Sequence, residues 1–148
     1  MEFNQFTENV NRLRASNPIW FALDADPIGT KAEISTVENQ LNISLPEDYK
    51  TFIEAFGGGY FAFTVIYSVT DDSEWNILNK NQSLELLEKH HFLAVSDNQA
   101  GDYYGYIIEN GLSTKNLFVY DHDDRQVKQT KYQNLFEYLV EVGLKQTV

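Results

Sequence analysis

The side chains with the most obvious capacity for acid–base or metal chemistry in this 148-residue chain are three histidines and 22 carboxylates. Cysteine is absent, which removes thiolate ligands, a thiol nucleophile and any disulfide. His90, His91 and His122 stand neither at the i, i+4 spacing that points two imidazoles at one metal nor in a His-Glu-x-x-His run. The densest set is Asp121-His122-Asp123-Asp124, whose carboxylates suit a hard cation. It lacks the spaced ligands, glycine and closing Glu of an EF-hand loop, so it reads as a solvated hairpin turn and no metal is expected. Acidic pairs at Glu47/Asp48, Asp71/Asp72 and Asp123/Asp124 could in principle supply the acid and base of a glycosidase. Adjacent acids on turns are ordinarily solvated charge, and none of these pairs stands out as a catalyst.

The glycines give no cofactor loop. Gly57-Gly58-Gly59 follows an expected helix and precedes an expected strand, the reverse of the strand-loop-helix order that aims backbone amides at phosphate. Gly101-Asp102-Tyr103-Tyr104-Gly105 lacks a third glycine and leads into a strand, which leaves a turn. With no Gly-x-Ser-x-Gly elbow there is no local support for a serine nucleophile. The expectation is a protein that is not an enzyme and holds no cofactor.

The elements that would position these residues can be read from periodicity. Phe3, Phe6, Val10 and Leu13 fall on one helical stripe running to about Ser16, and Pro18 ends it. Residues 17–29 form an irregular connection, although Ile19, Trp20, Phe21 and Leu23 are apolar enough to be expected against the domain. Thr30-Lys31-Ala32-Glu33 has capping-box spacing and opens a helix with Ile34, Val37 and Leu41 on one side. A third helix starts at Pro46, turns Tyr49, Phe52, Ile53 and Phe56 inward, and closes at the glycines. Residues 60–69 are expected to form one core strand, Asp71-Asp72-Ser73 a polar break, and Ser83 to His90 a short helix. Strands then follow at residues 92–96, 103–109, 116–121 and 126–130. A second capping-box spacing at Asn134 to Glu137 opens a closing helix with Leu135, Leu139 and Val142 inward.

Helices first, strands grouped with short connections and a helix last predict an α+β fold with a mostly antiparallel sheet, and 148 residues fit one domain. Aromatics make up 14% of the chain, enough for a packed core. No window approaches the roughly 20 apolar residues of a membrane span. The opening MEFNQFTENV has no basic stretch followed by an apolar one, and together with the missing cysteines this gives a cytoplasmic expectation.

Eleven Lys and Arg against 22 Asp and Glu give a net charge of −11, which disfavours direct nucleic-acid binding and favours a basic partner. Between Phe61 and Gln126 there are eleven acids and four bases, a local balance of −7. Many of these acids fall at strand ends beside Trp75, Tyr103, Tyr104 and Tyr106. That mixture suits a surface that attracts a cation and anchors it with aromatics, and equally a solvated acidic surface over an aromatic core.

The order of these residues resembles the SUKH superfamily, which contains bacterial immunity proteins and the fungal Smi/Knr cell-wall-synthesis regulators. The resemblance rests on Ile34, Glu38 and Leu41, then Leu45-Pro46, Tyr49, Phe52 and the glycines at 57–59. It continues through Gly101-Asp102-Tyr103, Val119-Tyr120-Asp121 and Asn134-Leu135-Phe136-Glu137-Tyr138-Leu139, over residues from about 30 to 144. Phe56 stands where an Asn often precedes the glycines. What the resemblance implies is a non-enzymatic α+β domain that binds and neutralises the catalytic domain of a secreted polymorphic toxin, many of which are nucleases. The alternative it implies is a regulatory scaffold of the fungal kind. A nuclease must present cations to phosphate, so the expected contact residues are Asp71, Asp72, Asp97, Asp102, Asp123 and Asp124, with Trp75 as an anchor.

Overall fold

The computed structural model describes residues 1–148. Six helices and seven strands alternate in blocks: α1 (Phe3–Ser16), α2 (Lys31–Leu41), α3 (Glu47–Phe56), β1 (Gly59–Phe61), β2 (Thr64–Ile66), α4 (Ile77–Leu84), α5 (Leu86–His90), β3 (Phe92–Asp97), β4 (Tyr103–Glu109), β5 (Leu112–Ser113), β6 (Phe118–Asp121), β7 (Gln126–Gln129) and α6 (Leu135–Tyr138). A 3₁₀ turn, Pro18–Phe21, follows α1, and α6 runs on into a π-helical turn over Leu139–Gly143. The sheet order is β1-β2-β3-β4-β6-β7, with β5 on β4, and every strand pair is antiparallel. This is the single-domain α+β arrangement expected from the order of elements.

Phenylalanines knit the helices to the first hairpin. The Phe6 ring lies 5.1 Å from Phe136, 5.9 Å from Phe61 and 6.2 Å from Phe52, so α1, α3, α6 and β1 share one aromatic cluster. Offset and edge-on contacts at these separations add to the burial of apolar area. Helix α1 therefore belongs to the core, with Phe6, Val10 and Leu13 buried at its inner stripe. Helix α2 opens with the expected capping box: Thr30 accepts from the Glu33 amide at 3.1 Å and Glu33 accepts from the Thr30 amide at 3.0 Å. Helix α3 closes at Gly57 (φ 72°), a conformation that favours glycine. A side chain at Gly105 would sit 1.8 Å from the Leu93 carbonyl oxygen, so only glycine lets β4 lie this close to β3.

Five expectations are corrected. Residues 60–69 are not one strand: the chain reverses at Ala62-Phe63, with Ala62 at φ 50°, to make the short β1–β2 hairpin. A run of aromatic and β-branched residues carries no period that distinguishes one strand from two. The short helix expected from Ser83 begins at Ile77, capped by Asn76 accepting from the Asn79 amide at 3.0 Å, and breaks at Glu85 (φ 59°) into α4 and α5. Asn79 and Asn81 lower the apolar signal there. Asn81 is nevertheless buried, because its amide donates to the Ala94 carbonyl and accepts from the Ala94 amide, both at 2.9 Å. Pro46 is the cap of α3 and Glu47 its first residue.

The second capping box is half formed. Asn134 accepts from the Glu137 amide at 3.1 Å, but Glu137 turns to the Gln133 amide at 3.3 Å and the Met1 ammonium at 3.2 Å. Finally, Ile19 and Leu23, expected against the domain, are 79% and 55% exposed, while Trp20 and Phe21 are half-buried. The segment is held by its backbone instead: the Tyr60 amide donates to the Asp24 carbonyl at 3.0 Å, and the Asp26 amide donates to the Gly58 carbonyl at 2.8 Å. Residues 24–26 thus lie along β1 and cover its outer edge, which removes an unpaired strand edge while leaving apolar side chains displayed.

Candidate functional site

The cross-strand register explains why several of the acids expected to bind a partner come to one end of the sheet. Tyr60 pairs with Val65, Val65 with Asp97, Asp97 with Tyr103, Tyr103 with Tyr120 and Tyr120 with Val127, a single row running from β1 to β7. Asp97 at the end of β3 and the acids of the β3–β4 and β6–β7 connections are therefore brought to the same end of the sheet, although they lie up to 27 residues apart in sequence.

At the β7 margin, Asp102, Asp121, Asp123 and Asp124 gather around His122 and Lys128. Asp102 accepts from the His122 backbone amide at 3.0 Å and meets its ring Nδ1 at 2.6 Å, while His122 Nε2 lies 3.3 Å from Asp123. Lys128 reaches Asp124 at 2.5 Å and Asp121 at 3.3 Å. These contacts fix the protonation preferences. Asp102 drops below the usual carboxylate range, first because of the His122 backbone amide and then its ring, and the Lys128 hydrogen bond lowers Asp124. Asp102 in turn raises the His122 imidazole. Ligand atoms of Asp102, Asp121 and His122 come within 4.8 Å of one another, the one place where three side chains could meet a cation. Both ring nitrogens of His122 already face carboxylates, Nδ1 that of Asp102 and Nε2 that of Asp123, and Lys128 already supplies positive charge to Asp121.

Asp97 lies elsewhere in the same row. It accepts from the Tyr67 hydroxyl at 2.6 Å and from the Gln99 amide at 2.7 Å. Burial, followed by this carboxylate, raises the Tyr67 hydroxyl, so Tyr67 is a fixed donor at any ordinary pH. Trp75 packs edge-on to Tyr60 at 5.6 Å, and Gln99 donates to the Tyr60 hydroxyl at 3.5 Å, which links Trp75 to the β3–β4 loop. The loop carrying Trp75 is also tied to the β1 cover by Ser73, which donates to Asp26 at 2.5 Å. Asp71 and Asp72 are exposed on that loop, and Asp71 faces a second groove lined by Thr36 and Val37 of α2 and Leu78 of α4. The seven residues therefore occupy three places: Asp102, Asp123 and Asp124 together, Asp97 and Trp75 on either side of Tyr60, and Asp71 with Asp72 toward α2.

Sequence reasoning missed a groove of about 340 Å³ beside Asp97, walled by Leu23, Tyr60 and Phe63 on one side and Val142 and Lys145 on the other. No local signal announces it, because Ala62-Phe63, where the chain turns, continues the apolar run of residues 60–67. Also missed was a cleft of about 510 Å³ over the start of α3. Asp48 lies beside it with both oxygens occupied: Oδ2 accepts from the Tyr106 hydroxyl at 2.8 Å and the Leu135 amide at 2.7 Å, and Oδ1 accepts from the Tyr49 amide at 2.9 Å. Burial raises the Asp48 carboxyl and the three bonds oppose the rise. Its role is to join α3, β4 and α6.

No helix is long and apolar enough to cross a membrane. No curated protein matches the chain. The family model for SUKH_6, SMI1-KNR4 cell-wall, matches residues 31–139, from the first residue of α2 to just past α6. Domains of this family are generally non-enzymatic immunity or regulatory modules. The chain belongs to the SUKH superfamily, in its SMI1-KNR4 cell-wall family.

Proposed function

We propose that this protein is an immunity protein that binds and neutralises a cognate secreted toxin, a nuclease domain with a basic surface, inside the producing cell. Family membership supports the class. The observation that carries the choice of partner is the row of acids and aromatics at one end of the sheet, on a chain of net charge −11. A nuclease concentrates cations where phosphate must bind, and an anionic protein competes for that surface and is steered toward it. The candidates for that contact are the residues expected from sequence, Asp71, Asp72, Trp75, Asp97, Asp102, Asp123 and Asp124, which the fold divides among three places.

The test is growth of cells expressing the toxin domain encoded beside this gene, with and without the protein, followed by co-purification at low and high salt. Rescue with a complex that weakens as salt rises is the expected result. Growth arrest that this protein does not relieve, with no complex at either salt, overturns the reading. It leaves the regulatory scaffold, which the cell-wall description of the matched family favours. A scaffold would retain a cellular partner while leaving nuclease activity untouched.

A further inference from the structure

The acids at the two margins of the sheet differ in what they have left to offer. Asp102, Asp121, Asp123 and Asp124 each already meet His122 or Lys128. Asp24, Glu74 and Asp97, at the β1 margin, pair with no lysine, arginine or histidine, and every ion pair of the molecule lies elsewhere. An incoming cation displaces no internal cation at these carboxylates, although Asp97 already accepts from Tyr67 and Gln99, whereas at the β7 margin it must first displace an existing partner.

The same margin displays apolar side chains on a fixed backbone. Phe63 is 50% exposed, yet its amide donates to the Gly143 carbonyl at 3.0 Å and its ring meets Trp20 edge-on at 5.1 Å. Leu23 is 55% exposed on a segment tied to β1 by the two backbone bonds at Asp24 and Asp26. Both project into the groove that Asp97 also lines, and Lys145, its one cation, lies over the Phe63 ring at 5.8 Å from the centroid. An aromatic and an aliphatic anchor held rigid beside unpaired carboxylates lose little entropy on binding and match a partner that combines cations with apolar contacts.

We propose that the partner docks at the β1 margin, in the groove between Leu23 and the Ala62-Phe63 turn, through a surface that places Lys or Arg beside apolar side chains, and not on the β6–β7 turn. The identity of that partner as a toxin rests on the function proposed above; the location does not.

Two measurements on the full chain separate these claims. Calorimetric titration with the neighbouring toxin domain compares the wild type with Leu23→Ser/Phe63→Ser, with Ile19→Ser/Leu23→Ser, whose targets are both largely exposed, and with Asp123→Asn/Asp124→Asn. The expected outcome is a loss of about tenfold or more for the two apolar pairs. The Asp123/Asp124 pair should change affinity by less than about threefold, consistent with the small effect of exposed pairs. The second measurement follows backbone amide shifts of the labelled wild type as a synthetic peptide of alternating Lys and Leu is added. Shifts centred on Leu23, Tyr60, Phe63 and Gln99 are expected. Shifts centred on Asp121 to Lys128, or none at the groove, overturn the location whatever the toxin does. A wild type that binds the peptide at the groove but not the toxin domain keeps the location and refutes the toxin. A concentration-dependent dimer abolished by Ile19→Ser/Leu23→Ser would make a second copy the occupant and overturn the proposed partner.

Discussion

The β7 margin and the β1 margin of the sheet carry similar numbers of carboxylates, and a count of charge along the sequence treats them alike. At the first, a histidine and a lysine from the β6–β7 hairpin consume the acids locally, so the charge holds a turn together. At the second, backbone bonds and packed rings do that work, and Asp24, Glu74 and Asp97 remain without a cation. The difference teaches that acidity measures potential for recognition only after the intramolecular partners are subtracted. Ranking the acids by how completely the fold has bound them gives an order, from Asp48 through Asp102 to Asp24 and Glu74, and each position in it has its own expected effect.

Asp48 is the extreme case, since three donors converge on its two oxygens. Asp48→Ala leaves the Tyr106 hydroxyl and the Leu135 amide without an acceptor, a loss of about 2–4 kcal/mol in urea denaturation, because unsatisfied buried donors cost about 1–3 kcal/mol each. Asp48→Asn should lose less, since it keeps one oxygen acceptor and removes the charge whose burial raises the carboxyl. Equal losses for the two, or a loss under about 0.5 kcal/mol for Asp48→Ala, would mean that α3 and α6 do not depend on this residue.

That Asp48 matters so much was hidden in the sequence, where Glu47-Asp48 reads as two acids at a helix start. Local signals were legible wherever a residue's partner lies within a few positions: the Thr30–Glu33 box, the helical stripe of Phe6, Val10 and Leu13, and the Asp121 to Asp124 turn. The fold class and family were legible for the same reason, since each element carries its own period and the order of elements limits the topology. What stayed hidden depends on distant residues. Tyr106 and Leu135 reach Asp48 across 58 and 87 positions, Tyr67 reaches Asp97 across 30, and residues 24–26 cover β1 by backbone bonds that no side chain announces. The candidate site was half legible on the same ground. Its acids and Trp75 were visible as types, but the neutralising role of Lys128 and the display of Leu23 and Phe63 emerge only once strands are paired.

Asp102 occupies the middle of the order, bound but exposed to titration from both sides. The raised His122 imidazole contributes stability that is fully present below its ordinary value near 6.5 and is lost as pH rises through its higher folded value. The lowered Asp102 carboxyl contributes stability present above its ordinary value near 3.8 and lost as pH falls through its folded value. The contribution to stability is therefore complete between the two ordinary values, about 3.8 and 6.5, and is lost as pH passes outward through the two folded values. An NMR titration should place His122 above 6.5 in the wild type and return it toward 6.5 in Asp102→Asn, and the gap in melting temperature between the two proteins should narrow on the alkaline side. A wild-type His122 that titrates at its ordinary value would show that the β7 margin is not held by this pair and would erase the contrast between the margins.

Asp24 and Glu74 should give the smallest effect on stability, because nothing in the fold depends on their charge. Asp24→Asn/Glu74→Gln is expected to change unfolding free energy by no more than about 0.5 kcal/mol, the ordinary range for surface substitutions. Its effect belongs to association. Carboxylates without an internal counterion contribute their whole field to an approaching cation, and a field acts mainly on the rate of encounter. Stopped-flow association with the toxin domain should be slower for this pair by a few-fold at low salt and nearly unchanged near 1 M salt, where the Debye length falls to about 3 Å. Asp123→Asn/Asp124→Asn removes one carboxylate that Lys128 already offsets and one that faces His122, and it leaves Lys128 with Asp121 alone, so its rate should fall less at low salt. Equal slowing by the two pairs would show that Lys128 does not screen its neighbours from an approaching partner, and the margins would then be electrically equivalent despite their different internal bonding.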